Sequence, residues 1–157
     1  NNIIDEQEKI EERIKIIQSE LTEKSKTVMS EYYTLLFETY PKLQSFSWCQ
    51  YTPYYNDGEE CYFSANTDPE DIRINYNIDE VESDYEWDEH HDELINAGKY
   101  GYPEINEEDQ WYPESIRQIS NFLNTFNNDT LKSIYGDHKE ITIHRGLHTD
   151  IINYDHD

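Results

Sequence analysis

The sequence predicts an α+β fold with one long N-terminal helix, a small antiparallel sheet, and C-terminal helices against one face of the sheet. Three observations lead to this prediction. Apolar residues recur at helical spacing before Pro41, β-prone arms flank a turn at 56–58, and two amphipathic patterns follow Pro113. The 157 residues are expected to form one folded unit, with the helix at 1–41 and an acidic α+β domain at 42–157.

The first predicted element is a helix from about Ile3 to Tyr40, because Pro41 cannot continue one. Its apolar residues recur every seven positions in two adjacent seams, which is the pattern of a coiled coil. The first seam holds Ile14, Leu21, Val28 and Leu35, and the second holds Ile3, Ile10 and Ile17, with Lys24 where an apolar residue is expected. The last turns, 32–37, are apolar nearly all round and are expected to enter the main core.

An amphipathic helix of this kind is marginal on its own, so its apolar stripe needs a partner. Two partners remain open. The stripe can pack on the chain's own domain, or it can meet the same helix of a second copy in a parallel or antiparallel coiled coil. In the second case a homodimer is expected, and its contact residues are Ile10, Ile14, Ile17, Leu21 and Val28.

Short strands are predicted after this helix. β-prone residues within 46–63 flank Asn56-Asp57-Gly58, a strong hairpin signal, and Pro53 limits the first arm. A further strand is indicated by alternation of apolar and other residues at Ile72, Ile74, Tyr76 and Ile78.

The elements that follow are predicted to be mainly helical. His90 to Ala97 can form a short helix closed by Gly98, and 99–113 is expected to be a loop. A second amphipathic helix opens at Pro113 and carries Ile116, Ile119, Phe122, Leu123 and Phe126.

The C-terminal part is predicted to contain a third helix and one strand. The helix begins near Leu131 and ends at Gly136. The strand contains Ile141 and Ile143, and the final residues, to Asp157, are expected to fray.

The most unusual feature of the sequence is the charge of its middle. Leu43 to Pro113 holds nineteen acidic residues and two basic ones, which is −17 of the chain's net charge of −23. Residues 79–93, which we call the acidic segment, have nine acids in fifteen positions and also contain Tyr85 and Trp87. The chain as a whole is too rich in aromatic residues for a solvated polyanion, so a folded acidic surface is expected.

Alternation within the acidic segment predicts how it meets a partner. Five acids, Glu80, Glu82, Asp84, Glu86 and Asp88, occupy every second position and would lie ~6.6 Å apart on one face of an extended chain. That spacing is comparable to the spacing of successive backbone phosphates, and the aromatic residues between the acids supply apolar anchors. The predicted partner-binding residues are Glu80, Glu82, Asp84, Tyr85, Glu86, Trp87, Asp88, Glu89, Asp92 and Glu93. A solvated face without a partner is the alternative, and whether the segment is a strand or a helix stays open.

The net charge restricts the class of partner. Nucleic acid and anionic membranes are themselves negative, so neither is expected to bind directly. No apolar run approaches the ~20 residues of a membrane span. The expected partner is therefore a protein with a basic surface, met in the cytoplasm, and the chain is expected to act as a non-enzymatic inhibitor.

Metal binding is a weaker hypothesis for the same region. Potential ligands within ten positions are Asp84, Asp88, His90, His91, Asp92 and Glu93. A metal-dependent enzyme using this cluster, with Asp88, His90 and His91 at its centre, is the alternative from a different functional class. No known metal-binding motif accompanies these residues, so neither a metal nor a cofactor is predicted.

Residues outside the acidic segment give little support for catalysis. His144 and His148 are four apart, but Gly146 argues against one helical face, and both are expected to be surface histidines. Cys49 is expected to be a buried thiol and not a nucleophile. Two cysteines cannot form a disulfide framework, and whether Cys49 and Cys61 pair stays open.

Residues within 46–63 resemble a segment that recurs in uncharacterised phage and bacterial proteins. The shared pattern is Trp-x-Gln-Tyr-Thr-Pro-Tyr-x-Asn-Asp-Gly from Trp48 to Gly58, followed by Cys61-x-Phe63. No activity is attached to that segment, so the resemblance implies a phage origin and transfers no catalytic residue. In composition the chain also resembles acidic phage-encoded inhibitors, both the DNA mimics that block anti-phage nucleases and the T-even phage inhibitor of the host Lon protease. This resemblance implies a basic surface on a host or defence enzyme as the target.

Overall fold

The computed structural model describes residues 2–54, 58, 60–76 and 110–155. In chain order the elements are α1 (Asn2–Thr39), β1 (Ser45–Tyr51), β2 (Ser64–Asn66), β3 (Arg73–Ile74), α2 (Trp111–Leu123), α3 (Asn128–Tyr135), β4 (Lys139–His144) and β5 (Thr149–Asn153). A single 3-10 turn at Pro69–Asp71 precedes β3. The long helix, the antiparallel sheet and the C-terminal helices confirm the predicted α+β class.

The sheet is built around β1, which is buried along nearly its whole length. One edge of β1 pairs with β4 in antiparallel register, so that Trp48 lies opposite Ile141 and Phe46 opposite Ile143. The other edge is shared by two short strands, β2 near the end of β1 and β3 near its start. β5 pairs with the free side of β4, which gives the order β2-β1-β4-β5. Every pairing is antiparallel, as the sequence predicts.

The hydrophobic core lies between one face of this sheet and the three helices. Phe46, Trp48, Ile74, Ile141 and Ile143 contribute from the strands, and each is at most 1% exposed. The helices contribute Met29, Tyr33, Leu36 and Phe37 from α1, Tyr112, Ile119 and Leu123 from α2, and Leu131 and Tyr135 from α3. The expectation that 32–37 enters the core is confirmed, except that Leu35 points away and is exposed.

A buried amide connects the sheet to α3. Gln50 is fully buried, and its Oε1 accepts a hydrogen bond of 3.0 Å from the Trp48 indole Nε1. Its Nε2 donates to two carbonyl oxygens, Leu131 O within α3 at 2.9 Å and Gly136 O just after α3 at 2.8 Å. Without this side chain the buried Trp48 N–H would lose its partner and both contacts to α3 would be lost, so the amide fixes α3 relative to β1.

The end of α1 is fixed by Arg145, in the turn between β4 and β5. The guanidinium donates hydrogen bonds to the carbonyl oxygens of Tyr40, Pro41 and Leu43, at distances of 2.6 to 3.1 Å. It also lies 5.3 Å from the Phe37 ring centroid. A positive charge at the C-terminal end of a helix interacts favourably with the helix dipole and satisfies carbonyls that the helix leaves open.

The hairpin within 46–63 is only half confirmed. Its first arm is β1, but its second arm, 60–63, is not a strand, and pairing starts at Ser64 opposite Tyr51. The reason lies at Thr52, whose N–H and hydroxyl both donate to the Asp137 carboxylate at 2.8 and 2.7 Å. These bonds direct the chain away from the sheet just before Pro53. Asn56 and Asp57, in the predicted turn, lie outside the described residues.

The strand predicted at 72–78 is shorter than expected. Ile72 and Ile74 are buried as the alternation indicates, but the strand ends at Ile74 because Asn75 adopts a left-handed conformation, with φ of 55°. The Asn75 side chain accepts hydrogen bonds from the N–H groups of Gln44 and Ser45. These side-chain bonds to a distant segment take the place of the ladder that a longer strand would form. Ile78 and the predicted helix at 90–97 lie outside the described residues.

Two further boundaries differ from the sequence prediction. α2 begins at Trp111, so the last residues of the predicted loop at 99–113 are helical. Pro113 is tolerated there because the first-turn N–H groups of a helix have no internal partner. The prediction that the final residues fray is wrong for 149–153, which form β5. Residues 156 and 157 lie outside the described residues. Ile151 and Ile152 are both exposed, so this edge strand lacks the alternation that reveals a half-buried one.

We predict that Gln50→Ala destabilises the fold by about 2–4 kcal/mol, because it removes three hydrogen bonds, leaves the buried Trp48 N–H without its partner and opens a small cavity. The measurement is the free energy of unfolding from chemical denaturation. Gln18→Ala, at an exposed position of α1, is the matched control and should change it by less than about 0.5 kcal/mol. Equal stability of the two variants would contradict the assigned role of Gln50.

Candidate functional site

The main site predicted from the sequence falls between two described parts of the chain, 60–76 and 110–155. The ten predicted partner-binding residues between Glu80 and Glu93 lie outside the described residues, as do the metal cluster Asp88, His90 and His91. What the structure does describe is the chain on both sides of 77–109, and therefore the two points at which these residues join the fold.

The two junctions belong to elements that pack against each other. Before the gap, β3 is paired with the start of β1, and the chain continues to Tyr76. After the gap, the chain enters α2 at Trp111, and α2 packs against both β3 and the 3-10 turn. Hydrogen bonds secure this packing, because the hydroxyl of Ser120 donates to Thr67 O at 2.6 Å and that of Thr67 to Asn124 Oδ1 at 2.6 Å.

A cluster of carboxylates lies at the 3-10 turn that packs against α2. Asp68, Glu70 and Asp71 are exposed residues of the 3-10 turn and its N-terminal flank, and their carboxylate oxygens lie within 4.8 Å of one another. Among the described residues this is the only group of three potential metal ligands so close together. Exposed acidic groups often cluster without binding metal, and the described part of the chain shows no imidazole or thiol with them. The cluster therefore adds negative charge to the exposed surface of this turn.

The sites predicted above do not include this cluster, although the sequence contains a pattern that indicates it. Asp68-Pro69-Glu70-Asp71 places proline at the first position of a helical turn and acids on both sides of it. Such a turn brings residues three apart onto the same side, so its acids are close in space. In a stretch with nineteen acids, the spacing alone does not distinguish these three.

The one basic residue of β3 is used within the fold. Arg73 forms an ion pair of 3.2 Å with Glu140 of β4, on the sheet face opposite the helices, and both side chains are largely buried. The guanidinium also lies 5.2 Å from the Tyr76 ring centroid. Arg73 thus holds the chain at the entry to the undescribed residues and compensates the charge of the buried Glu140.

The N-terminal half of α1 is exposed along its whole length. Every side chain from Asn2 to Leu21 is exposed, although Gln18, Ser19 and Leu21 border a groove beside α3. Among the described residues, the first side-chain hydrogen bond from α1 to α3 is that from Thr22 Oγ1 to Ser133 Oγ, at 3.3 Å. We call residues 2–21 the arm. Contact then continues along one side of the helix through Ser25, Met29 and Tyr33.

The heptad seams are not the side of α1 that packs on the domain. At 100° per residue, the seams lie roughly 100° around the helix from the side that carries Met29 and Tyr33. The predicted dimer residues Ile10, Ile14, Ile17, Leu21 and Val28 are consequently 46–62% exposed. The sequence left two partners open for this helix. Its own domain covers the side that carries Ser25, Met29 and Tyr33, and the seams stay exposed.

The two C-terminal histidines converge on one carboxylate. His144 ends β4 and His148 precedes β5, so neither is helical, and their rings are 5.6 Å apart. His144 Nε2 lies 2.8 Å from one oxygen of Asp150 and His148 Nε2 lies 2.9 Å from the other. Hydrogen bonds from His144 and then His148 lower the pKa of Asp150. Because the carboxylate lies between the imidazoles, the arrangement braces the β4–β5 turn.

The two cysteines are free thiols with different surroundings. Cys49 is buried in β1, as predicted, and Cys61 is partly exposed. Burial raises the pKa of the Cys49 thiol to about 12, with a smaller opposing effect of Arg73. A thiol with so high a pKa supplies almost no thiolate at neutral pH and is unsuited to nucleophilic catalysis.

We predict that iodoacetamide at pH 8 modifies Cys61 and leaves Cys49 unmodified in the folded protein. Both the low thiolate fraction and the burial protect Cys49, so its rate of alkylation should be lower by at least about a hundredfold. Mass spectrometry of proteolytic peptides measures each rate. In urea both cysteines should react alike, and comparable rates in the folded protein would contradict the assigned environment of Cys49.

Comparisons with known proteins identify no relative of this chain. No helix in the described part of the chain has both the length and the apolar character needed to cross a membrane. No protein-family model matches the sequence, and neither a curated protein nor a solved structure matches it significantly.

Proposed function

We propose that this chain is a non-enzymatic inhibitor, phage-encoded and acting in the host cytoplasm, that occupies a basic nucleic-acid-binding surface of a host or defence enzyme. One observation carries the proposal. Residues 77–109 hold thirteen acids and one lysine, a net charge of −12, and they follow β3 and precede α2, two elements that pack against each other.

The described carboxylates add to the charge of the middle of the sequence. Asp68, Glu70 and Asp71 lie in the 3-10 turn that packs against α2 and in its N-terminal flank. Charge elsewhere is more balanced, since 1–42 and 114–157 each carry a net charge of only −3. Negative charge is therefore concentrated in one region of the sequence, which suits a protein that binds its partner through that region.

Competition for a basic surface follows from elementary electrostatics. A surface that binds nucleic acid carries lysine and arginine residues that attract any closely spaced row of anions. Carboxylates can replace phosphates in those contacts, while Tyr85 and Trp87 add the apolar contacts that give affinity beyond charge. Binding of this kind is fast and weakens steeply with salt.

The test begins with capture of bound proteins from host lysate by the full chain, followed by measurement of the affinity of the captured protein. The quadruple variant Glu82→Gln, Asp84→Asn, Glu86→Gln and Asp88→Asn should bind roughly thirtyfold more weakly, because four exposed ion pairs at about 0.5 kcal/mol each amount to about 2 kcal/mol. The matched control is Asp5→Asn, Glu8→Gln, Glu12→Gln and Glu23→Gln, which removes the same charge from exposed positions of α1. This control should leave the affinity unchanged.

Competition with a DNA duplex separates the alternatives. A mimic must be displaced by the duplex, and its affinity must fall as salt rises. Binding that is insensitive to both would contradict DNA mimicry. If the captured protein is an ATP-dependent protease whose casein degradation is blocked without competition from DNA, the chain is a protease inhibitor instead. Loss of function on chelator treatment would favour the metal-dependent enzyme.

A further inference from the structure

We propose that the exposed seams of α1 pair with the same seams of a second copy of this chain, in an antiparallel coiled coil. This inference is independent of the proposed function, because it concerns the arm and not the acidic segment. It depends on three observations: the exposure of the seams, the charge of the arm, and the positions of two polar residues in the seams.

The seams form a continuous apolar surface that the domain leaves open. Ile3, Ile10, Ile14 and Ile17 are each at least 49% exposed on the arm, and Val28 is 48% exposed beside the domain. An isolated helix with this composition is marginal in water, so the arm gains stability only when its apolar side is covered. The seams lie roughly 100° from the side that carries Met29 and Tyr33, so the contacts of that side with the domain leave the seam residues exposed, and at Leu21 the seam borders a groove beside α3.

The charge of this region favours a second copy over a basic protein. Residues 2–28 contain seven acidic and five basic residues, a net charge of −2, whereas the whole chain carries −23. Self-association through this region therefore brings together two nearly neutral surfaces. A basic partner would be attracted to the acidic part of the chain and not to the arm.

The two polar interruptions of the seams match each other in one antiparallel register. When Ile14 faces Ile17 of the second copy, the neighbouring layers place Ile10 against Leu21 and Ile3 against Val28. In the same register Gln7, the one polar residue of the first seam, faces Lys24, the one polar residue of the second seam within this span. Every apolar seam residue from Ile3 to Val28 then meets an apolar residue, so the register leaves no lysine against an apolar layer.

The flanking charges agree with this register and oppose a parallel one. In the antiparallel pair, Arg13 lies beside Glu20 of the second copy, and the two-fold symmetry gives this attractive pair twice. In a parallel pair, Lys24 would face Lys24 in the apolar interface, and Glu6 would lie beside Glu11 of the second copy. Both contacts bring like charges together.

The first experiment measures the mass of the full chain in solution by light scattering and sedimentation. The wild-type protein should be a dimer at about 100 µM, and Ile14→Asp should be a monomer, since it places a charge in the central layer. Ile16→Asp is the matched control, because Ile16 is exposed to the same degree as Ile14 but lies off the seams. It should remain dimeric. Both variants change only exposed arm residues, so near-ultraviolet circular dichroism should show an intact domain.

A monomeric wild-type protein at that concentration would overturn the proposal and leave the seams to a different protein. A dimeric Ile14→Asp variant would overturn it as well, because the dimer would then form through another surface. Loss of the dimer in both variants would indicate a general effect of charge on the arm and would also count against the seams.

The second experiment tests the orientation by exchange of charges. Arg13→Glu and Glu20→Arg should each raise the dimer dissociation constant roughly tenfold, and the double variant should restore it. Lys15→Glu makes the same change of charge as Arg13→Glu at an outward position and should have a much smaller effect. Absence of restoration in the double variant would overturn the antiparallel register, because only that register brings Arg13 and Glu20 together.

Discussion

The buried amide of Gln50 is the interaction on which the relative placement of the elements depends. It joins the central strand to the end of α3 through two carbonyl oxygens, and it holds the Trp48 indole in the core. α3 in turn contacts the long helix, because the Tyr135 hydroxyl lies 2.9 Å from that of Tyr33 and 3.3 Å from the Met29 sulfur. Sheet, short helix and long helix are thus connected by one series of buried polar contacts.

The composition of the core explains how the chain folds despite its large negative charge. Like charges repel across the whole molecule, and a compact state must gain enough from burial to offset that repulsion. Here the buried core residues lie within 29–74 and 112–143, in segments on both sides of the most acidic part of the sequence. The described basic residue at the junction, Arg73, is paired with the buried Glu140. In the described part of the chain, Glu140 is the one charged residue that is buried, so no unpaired charge is buried there.

Much of the fold could be predicted from the sequence because its periodicities are strong. The long helix, β1 and both C-terminal helices follow from apolar spacing and from Pro41, Pro113 and Gly136. The boundaries that differ depend on contacts between distant residues. Asp137 turns the chain away from β1 at Thr52, and the side chain of Asn75 ends β3, so neither effect is visible in local sequence.

The candidate sites could be predicted only in part, for a related reason. The seams and the domain-facing side of α1 are both apolar with nearly the same period, so sequence spacing does not reveal which of them the domain covers. That choice is made by Ser25 and Met29, which are buried where α1 packs on α3 in the folded chain. The acidic segment is evident from composition, whereas the cluster of Asp68, Glu70 and Asp71 becomes evident only from the 3-10 turn that brings their carboxylates together.

The length of the arm has a consequence for valency. In the antiparallel register, corresponding points of the two domains, such as the two Tyr33 residues, would lie roughly 50 Å apart along the helix axis at 1.5 Å per residue. The assembly would then carry two acidic surfaces at a fixed separation set by a stiff spacer. An oligomeric target with repeated basic sites at a matching distance would be held at two points, and the second contact would form at a high effective concentration. Modest affinity at each acidic surface would then be sufficient for long-lived binding.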